Sequence, residues 1–222
     1  MGSIGGEVAL AQPPMIGPHE FRLATRLILL DLEFTCWEDS LRTNWSDSER
    51  PPEVIEVALV AYDPARDAVS ESFTSFVRPS RNVELSRYCT DLLYISQSDI
   101  DQAPPLKDVL AGLAEWVARL GISGVPTCSW GVNDRIFLAQ GAQRSGCGDP
   151  FEACRHADLR LLYGMALRCP PARICDRDEA RRILGLSPNH RRHSALADAL
   201  GLVQFCRMLR SDRALHAFVA PS

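Results

Sequence analysis

Two carboxylates close an apolar run at residues 27–33, which read LILLDLE. An uninterrupted apolar run of this length indicates a buried central strand. Side chains alternate along a strand, so Asp31 and Glu33 lie on the same side, while Leu32 between them faces the core. Neighbouring carboxylates repel each other and lose hydration on burial, so a buried pair calls for a compensating cation, whereas a strand end that simply faces water needs none. The stretch therefore predicts a strand that carries metal ligands at its end.

The segments that follow alternate between strand patterns and helix patterns. Asp63–Arg66 is a turn between two strand-like runs, and together with the first strand these runs predict an antiparallel meander. Pro104 and Pro105 open an amphipathic helix that Gly121 closes. Predicted strands cover residues 27–33, 54–62, 70–77, 125–130 and 154–159, and predicted helices cover residues 85–96, 106–120, 134–144, 159–167, 178–184 and 194–209. This order predicts an α/β fold, a mixed five-stranded sheet flanked by helices on both faces.

The length of 222 residues suits one large domain, and neither an inner linker nor a repeat divides it. A single domain over residues 21–215 is therefore expected. Residues 1–20 are rich in Gly and Pro and lack the basic start and long apolar core of a signal peptide. They are expected to be a disordered lead-in or a segment added for expression. No apolar stretch approaches ~18 residues, so no membrane span is expected.

The eight cysteines are scattered and include no Cys-x-x-Cys pair. Zinc ribbons and fingers require closely spaced ligand pairs, so the pattern argues against a zinc site. Reduced thiols in a cytoplasmic protein are the favoured state, with most of these side chains in the core.

The net charge of −4 argues against a protein that binds nucleic acid by overall charge alone. The average hides an asymmetry, because residues 1–150 contain 12 basic and 21 acidic side chains, whereas residues 151–222 contain 12 basic and 7 acidic ones. Every basic residue except Lys107 is an arginine, which can hold a phosphate through two hydrogen bonds. A GC-rich genome would also favour arginine, and that alternative stays open.

Three further candidates lie at the boundaries of predicted elements. Asp134 stands where the fourth strand turns into a helix, and His193 and Asp198 lie near the start of the last helix, about 1.4 turns apart. Taken singly, Asp134 could cap its helix and His193 could be a surface or capping residue. Asp198 could pair with Arg191 or Arg192. Together with the strand-end pair, and in this order, they favour a metal-dependent phosphodiesterase.

These motifs resemble the DEDDh-type 3′–5′ exonucleases of the RNase T and oligoribonuclease superfamily. That family has Asp-x-Glu on its first strand, an Asp after the turn of its fourth strand and His-x4-Asp on its last helix. All three segments occur in order between residues 27 and 209. Position 194 is Ser194, where the tyrosine branch would carry its tyrosine, so the histidine branch fits. The resemblance implies an RNase H-like fold.

Within the superfamily, four segments resemble the exoribonucleases that trim the 3′ ends of histone mRNA and small interfering RNA. The segments are 34–38 (FTCWE), 54–58 (VIEVA), 85–89 (LSRYC) and 95–97 (ISQ). The chain departs from this subgroup at Leu93-Tyr94, where Thr-Gly is usual. The loop beside the terminal nucleotide is therefore expected to differ, which bears on substrate preference more than on activity.

The resemblance implies a catalytic centre with two divalent cations, Mg²⁺ or Mn²⁺, held by carboxylates. Asp31 would bridge both ions, Glu33 and Asp198 would complete the first site, and Asp134 would act through a water ligand. His193 would accept a proton from the attacking water, since the ordinary pKa of histidine lies near neutrality.

The resemblance also implies contacts to the terminal nucleotide. Phe34, Thr35, Cys36 and Trp37 would pass beside the terminal sugar and base. Trp130 could offer a stacking face, and core packing is an equally weighted alternative for the tryptophans. The segment 38–52 is either a flap over the substrate or a plain loop.

The leading substrate is the 3′ end of single-stranded RNA, with nucleoside 5′-monophosphates as products. Single-stranded DNA is the second candidate, and a catalytically silent nucleic-acid-binding scaffold is the rival from another class. The arginines after residue 150 could hold upstream phosphates, and Arg135, Arg191 and Arg192 lie closest in sequence to the predicted site. No separate nucleic-acid-binding module is recognisable, so a protein targeting partner and a homodimer both stay open.

Overall fold

The computed structural model describes residues 12–43, 45–169, 176–186 and 194–211. At its centre is a five-stranded sheet, made of β1 (Leu27–Phe34), β2 (Val54–Asp63), β3 (Ala68–Phe76), β4 (Thr127–Ser129) and β5 (His156–Asp158). The strands lie in the order β3-β2-β1-β4-β5. The first three pair antiparallel, whereas β1–β4 and β4–β5 are parallel. The predicted meander and mixed sheet are confirmed.

Helices connect and cover the strands on both faces of the sheet. They are α1 (Pro18–Leu23), α2 (Ser40–Thr43), α3 (Arg87–Leu93), α4 (Gln97–Asp101), α5 (Leu106–Leu120), α6 (Asn133–Arg144), α7 (Leu159–Ala166), α8 (Arg177–Ile183) and α9 (Ala195–Arg210). The bounds of α5 are those predicted, and Gly121 ends it with a left-handed φ of 60°. Within the described ranges, no helix is both long enough and apolar enough to cross a bilayer.

Strand β1 is buried on both faces because its alternate side chains join two different cores. Leu27 and Leu29 pack in a core that includes residues of α7 and α9. Ile28 and Leu30 belong to a second core with residues of α5 and α6. The alternation continues to the end of the strand, so Asp31 lies on the α9 side of the sheet. The apolar pattern of β1 thereby decides which helix meets the carboxylates.

Two local features differ from the sequence prediction. Strands β4 and β5 are shorter than predicted, because the ladder between them joins only Thr127–Ser129 with His156–Asp158. Helix α4 was not predicted, although its start carries a recognisable signal. Ser96 and Asp99 form a capping box there, and the pattern Ser-x-x-Asp could have revealed the helix.

Residues 12–20 differ from the expected disordered lead-in. Met15 forms a parallel bridge with His156, and the backbone N–H of Ile16 donates to the His156 carbonyl at 2.8 Å. Phe21 in α1 is fully buried. These contacts add a short extension to the β5 edge of the sheet. Residues 1–11 lie outside the described part of the chain, and disorder there stays a prediction.

His156 ties strand β5 to the turn that follows β4. The Gly131 carbonyl can only accept, so His156 Nε2 donates to it at 3.3 Å and leaves Nδ1 to accept from the Thr127 hydroxyl at 2.9 Å. The Ser129 hydroxyl also donates to the Gly131 carbonyl, at 2.6 Å. Burial favours the neutral imidazole and lowers the pKa of His156 to about 4. The turn it holds leads directly to Asp134.

We expect His156 to make the fold sensitive to acid. The pKa of histidine is near 6.5 in the unfolded chain and about 4 in the fold, so below pH 6.5 the unfolded chain binds a proton that the fold does not. Stability therefore falls as the pH drops from 6.5 to about 4, by about 3 kcal/mol at about 1.4 kcal/mol per pKa unit, and is unaffected by this residue above that range.

Urea unfolding across this pH range would measure the effect in the wild type, in His156→Asn and in His19→Asn. The His156→Asn protein should be less stable near neutral pH but lose less stability on acidification. His19 is exposed and serves as the matched control, whose replacement should leave the pH profile unchanged. Equal acid loss in the wild type and His156→Asn would contradict the assignment.

Candidate active site

Three carboxylates meet at the end of β1. Asp31 and Glu33 come from the strand, and Asp198 comes from the first turn of α9. One oxygen of each lies within 4.8 Å of the other two. Asp31 and Asp198 are buried, with 7% and 4% of their surface exposed. The structure therefore brings together side chains that are up to 167 positions apart in the sequence.

Asp134 adds a fourth carboxylate to this group. It stands in the first turn of α6 and lines the same cleft as the other three. Burial raises its pKa to about 7, the nearby Arg177 opposes that shift, and Asp198 adds to it. All four predicted carboxylates thus belong to one cleft.

The carboxylates repel each other strongly in the absence of a cation. Burial raises the pKa of Asp31 well above its ordinary value, Arg177 opposes that shift, and the charges of Asp134, Glu33 and Asp198 add to it. Burial also raises the pKa of Glu33 to about 8, with Asp198 and Glu56 as further causes. Carboxylate oxygens are hard ligands that suit Mg²⁺ or Mn²⁺. The donor set therefore fits a divalent metal, which would replace the protons that the cluster otherwise retains.

Arg177 is a site residue that sequence reasoning missed. Its guanidinium donates to Asp31 Oδ1 at 2.6 Å and lies 2.5 Å from Asp198 Oδ2. Burial would lower its pKa, but attraction to the two carboxylates outweighs burial and raises it above the ordinary value. The side chain is 22% exposed. In this arrangement one arginine neutralises part of the charge that a metal would otherwise balance.

Glu56 is a second residue whose role was missed, since the sequence showed it only as part of a family-like segment. It lies opposite Glu33 in the β1–β2 ladder and is 7% exposed. Its carboxylate accepts the backbone N–H of Ala195 at 3.2 Å. Ala195 is the first residue of α9, so Glu56 satisfies a helix-terminal donor and fixes the turn that carries Asp198. One acidic residue inside the apolar strand VIEVALV was the available signal.

The carboxylates open onto a cleft of about 370 Å³ with aromatic walls. Phe34, Cys36 and Trp37 line it, and their contact with the terminal nucleotide stays a prediction. Thr35 is buried instead, with its hydroxyl accepting the backbone N–H of Glu53 at 3.1 Å. The aromatic side chains of the wall are Phe34, Trp37, Trp45, Tyr88 and Trp130.

Trp130 has one side in the core and another in the cleft. Its ring packs against Phe205 and Tyr163, with centroids 4.5 and 5.6 Å apart. It is partly exposed and also lines the cleft. Trp130 therefore packs in the core on one side and lines the cleft on the other, so core packing and a stacking face each describe part of its surroundings.

The departure from the exoribonuclease subgroup coincides with an unusual backbone conformation. Tyr94 ends α3 in the left-handed region with φ 54°, and its side chain is 84% exposed. Glycine adopts this region without strain, whereas other residues cost of order 1–3 kcal/mol there. The usual glycine of the subgroup would suit this helix end, and Tyr94 leaves an exposed ring beside Leu93 of the cleft wall.

Several predicted residues cannot be placed. His193, Arg191 and Arg192 lie outside the described residues, so the proton-accepting role of His193 stays a prediction from the motif. Arg135 is described and is buried, with an ion pair to Asp149 at 2.6 Å and a hydrogen bond to the Phe151 carbonyl at 2.7 Å. Its guanidinium is therefore engaged in holding the segment after α6.

Comparison with known proteins gives relatives of one kind. The exonuclease (RNase T) family profile matches residues 28–123. The 3′–5′ exonuclease Snipper of Drosophila melanogaster is 27% identical over 210 residues, which cover 86% of this chain and 71% of Snipper. ERI1 exoribonuclease 2 of Mus musculus is 32% identical over 197 residues, covering 80% of this chain and 27% of that protein. The chain thus spans most of Snipper but about a quarter of the mouse relative.

Solved structures show the same fold. A full-length 3′-exonuclease superposes with a TM-score of 0.73 at 25% identity, over 84% of this chain and 82% of that one. The nuclease domain of 3′hExo, a DEDDh family member bound to rAMP, superposes with a TM-score of 0.74 at 24% identity, over 86% of this chain and 94% of that one. These likenesses confirm the predicted RNase H-like architecture.

Proposed function

We propose that this chain, which belongs to the DEDDh-type 3′–5′ exonucleases, removes nucleotides from the 3′ end of RNA and releases nucleoside 5′-monophosphates. The observation that carries the proposal is the convergence of Asp31, Glu33 and Asp198, with oxygens within 4.8 Å of one another. Burying four carboxylates around one cleft is unfavourable because they repel each other and lose hydration. Bound cations would offset this cost by neutralising them. The relatives named exoribonucleases support RNA as the substrate.

The carboxylates would act as the metal ligands. Asp31, Glu33 and Asp198 would hold divalent cations directly, and Asp134 would contribute through a water. When bound, such ions neutralise charge on the phosphoryl oxygens and stabilise the leaving 3′ oxygen. Glu56 helps to position Asp198, because its carboxylate accepts the backbone N–H of Ala195 at the start of the helix that carries Asp198.

The proton from the attacking water would pass to His193. A histidine five positions before Asp198 stands just before α9, on the chain segment that leads to the site. The ordinary pKa of histidine makes it an effective general base near neutral pH. This role rests on the His-x4-Asp motif, since His193 lies outside the described residues.

The cleft would hold the terminal nucleotide. Its volume of about 370 Å³ and its aromatic walls suit a nucleobase and sugar. Base–aromatic stacking contributes about 1–3 kcal/mol per base and is sequence-tolerant. The Arg50 guanidinium lies over the Trp37 ring, 5.1 Å from its centroid. Arg50 also forms ion pairs with Asp39 and Asp47, and these contacts hold Trp37 in the cleft wall. A cytoplasmic location and targeting by a protein partner remain parts of the proposal.

Incubation of 5′-labelled RNA and DNA strands with Mg²⁺, Mn²⁺ or EDTA tests the proposal. We expect a ladder that shortens from the 3′ end with either metal, no ladder in EDTA, and a nucleoside 5′-monophosphate as the released product. RNA should be shortened faster than DNA of the same sequence. If the protein binds RNA tightly but produces no ladder with any metal, the exonuclease proposal is wrong and a catalytically silent RNA-binding scaffold takes its place.

A further inference from the structure

A second cavity lies outside the catalytic cleft, and its lining is strongly basic. It has a volume of about 550 Å³ and is formed by the loop after β3, the start of α5 and the end of α6. Four exposed cations line it, Arg78, Arg81, Lys107 and Arg144. We refer to these four residues and their cavity as the basic groove.

The cations of the basic groove have no carboxylate partners. None of the four forms an ion pair within the described ranges, unlike the exposed Arg87 and Arg119, and Arg78 donates instead to the backbone carbonyl of Asp101 at 3.4 Å. In a chain whose first 150 residues contain 21 acidic and 12 basic side chains, four unpaired cations around one cavity form a distinct positive region. Such a concave positive surface raises the local concentration of anions.

The single carboxylate in the lining is directed at the protein backbone. Glu53 accepts the backbone N–H groups of Ser80, Arg81 and Asn82 at 2.7 to 2.9 Å, as well as the Ser80 hydroxyl at 2.7 Å. Burial alone would raise its pKa, but these hydrogen bonds outweigh burial and lower it. Glu53 therefore holds the loop that presents Arg81, and its negative charge is already satisfied by donors.

The walls of the basic groove are fixed by packing. The backbone N–H of Arg78 donates to the Pro104 carbonyl at 2.9 Å, which joins the loop after β3 to the segment before α5. Gly141 lets α6 approach α5 closely, since a Cβ at this position would lie 2.6 Å from Leu106 Cδ2. The close approach brings Arg144 at the end of α6 to the same cavity as Lys107. The groove is thus formed before any ligand binds.

Helix α6 links the basic groove to the catalytic cleft. Asp134 stands in its first turn and Arg144 is its last residue, so about 15 Å of helix separates them at 1.5 Å per residue. Between them, the Phe137 ring contacts Phe34 of the cleft wall with centroids 5.0 Å apart. A stacked nucleic-acid strand has one phosphate per about 3.4 Å, so this distance corresponds to about four or five phosphates.

We propose that the basic groove binds the phosphates of the RNA strand about four or five nucleotides upstream of its 3′ end. The proposal rests on the proposed exonuclease function and adds the path of the substrate. Arginine binds phosphate through paired hydrogen bonds and stays charged at all relevant pH values. Contacts of this kind are independent of sequence, so the groove favours longer strands without selecting their bases. The sequence alone points to the arginines after residue 150 for contacts with upstream phosphates, whereas the residues of the basic groove all come before that position.

The double variant Arg81→Ala/Arg144→Ala tests the proposal, because both side chains are exposed and their loss leaves the core intact. The substrates are a single-stranded RNA of about 20 nucleotides and a trinucleotide that is too short to reach the groove. We expect kcat/KM for the long RNA to fall about tenfold, while the trinucleotide is cleaved at the wild-type rate. The slope of log binding constant against log salt for the long RNA, measured in EDTA, should become shallower by about 1.4, at about 0.7 per phosphate.

The matched control is Arg26→Ala/Arg66→Ala, which removes the same charge from exposed positions at the opposite end of the sheet. Neither the salt slope nor the ratio of long to short substrate should change in the control. Equal losses on both substrates, or an unchanged salt slope in the Arg81→Ala/Arg144→Ala protein, would overturn the groove. If the wild type shortens neither RNA, the exonuclease function fails, and the salt slope still decides whether the groove binds RNA.

Discussion

Asp31→Asn is expected to lower kcat about 10³-fold while leaving the free energy of unfolding unchanged or higher. Asp31 would be a metal ligand, and the loss of a charged ligand would remove several kcal/mol of transition-state stabilisation. A loss of about 4 kcal/mol corresponds to about 10³-fold in rate. In the metal-free fold, however, burial and neighbouring carboxylates raise the pKa of Asp31 well above its ordinary value. A neutral asparagine relieves that repulsion, and its amide oxygen can still accept from Arg177 while Asp198 keeps the guanidinium paired, so activity and stability should move apart.

Single-turnover cleavage, calorimetric Mg²⁺ titration and urea unfolding in EDTA would measure this separation. The matched control is Glu71→Gln, a carboxylate paired with Arg119 on the surface, which should retain activity and Mg²⁺ binding. His193→Ala provides the contrast within the motif. As the loss of a general base, it should cost about 10²–10⁴-fold in rate and leave Mg²⁺ affinity close to the wild type. A near-normal rate in either Asp31→Asn or His193→Ala would remove that residue from the mechanism.

The sequence was informative where one strand or helix determines the position of a side chain. The apolar run before Asp31 predicted both a central strand and that Asp31 and Glu33 share one side of it. The turn into α6 placed Asp134, and the last helix placed Asp198, because each of these carboxylates stands at an element boundary visible in the chain. The order of these motifs along the chain, and its resemblance to the DEDDh-type exonucleases, then predicted a common site.

The sequence was uninformative where a contact depends on packing between distant elements. The Arg177 to Asp31 hydrogen bond joins residues 146 positions apart, and nothing in the pattern of α8 distinguishes Arg177 from its neighbours Arg181 and Arg182. The basic groove was hidden for the same reason, because its cations come from three separate elements in the acidic part of the chain. Charge summed along a sequence does not reveal which charges share a surface.

Arg177 and a metal held by Asp31 and Asp198 would compete for these two carboxylates. The guanidinium occupies Asp31 Oδ1 at 2.6 Å and Asp198 Oδ2 at 2.5 Å, and both residues are predicted metal ligands. We expect a metal that takes these two oxygens to make Arg177 release at least part of this contact. The cost of that release lowers the apparent metal affinity, because a ligand's observed affinity includes the free energy of any rearrangement it requires. A released guanidinium at this position would face the phosphates of a bound strand.

The Arg177→Met protein is accordingly expected to bind Mg²⁺ about tenfold more tightly than the wild type. Without metal, its free energy of unfolding should be lower than that of the wild type. Removing one partner of a buried ion pair costs about 3 kcal/mol, which corresponds to a fall of about 6–12 °C in Tm for a chain of this size. Addition of Mg²⁺ should restore more of the Tm than it adds to the wild type. Calorimetric titration and thermal unfolding with EDTA or Mg²⁺ measure both effects. Arg119→Met removes an exposed pair and should cost less than about 1 kcal/mol without altering Mg²⁺ affinity. Unchanged Mg²⁺ affinity in Arg177→Met would show that the arginine and the metal do not share these oxygens.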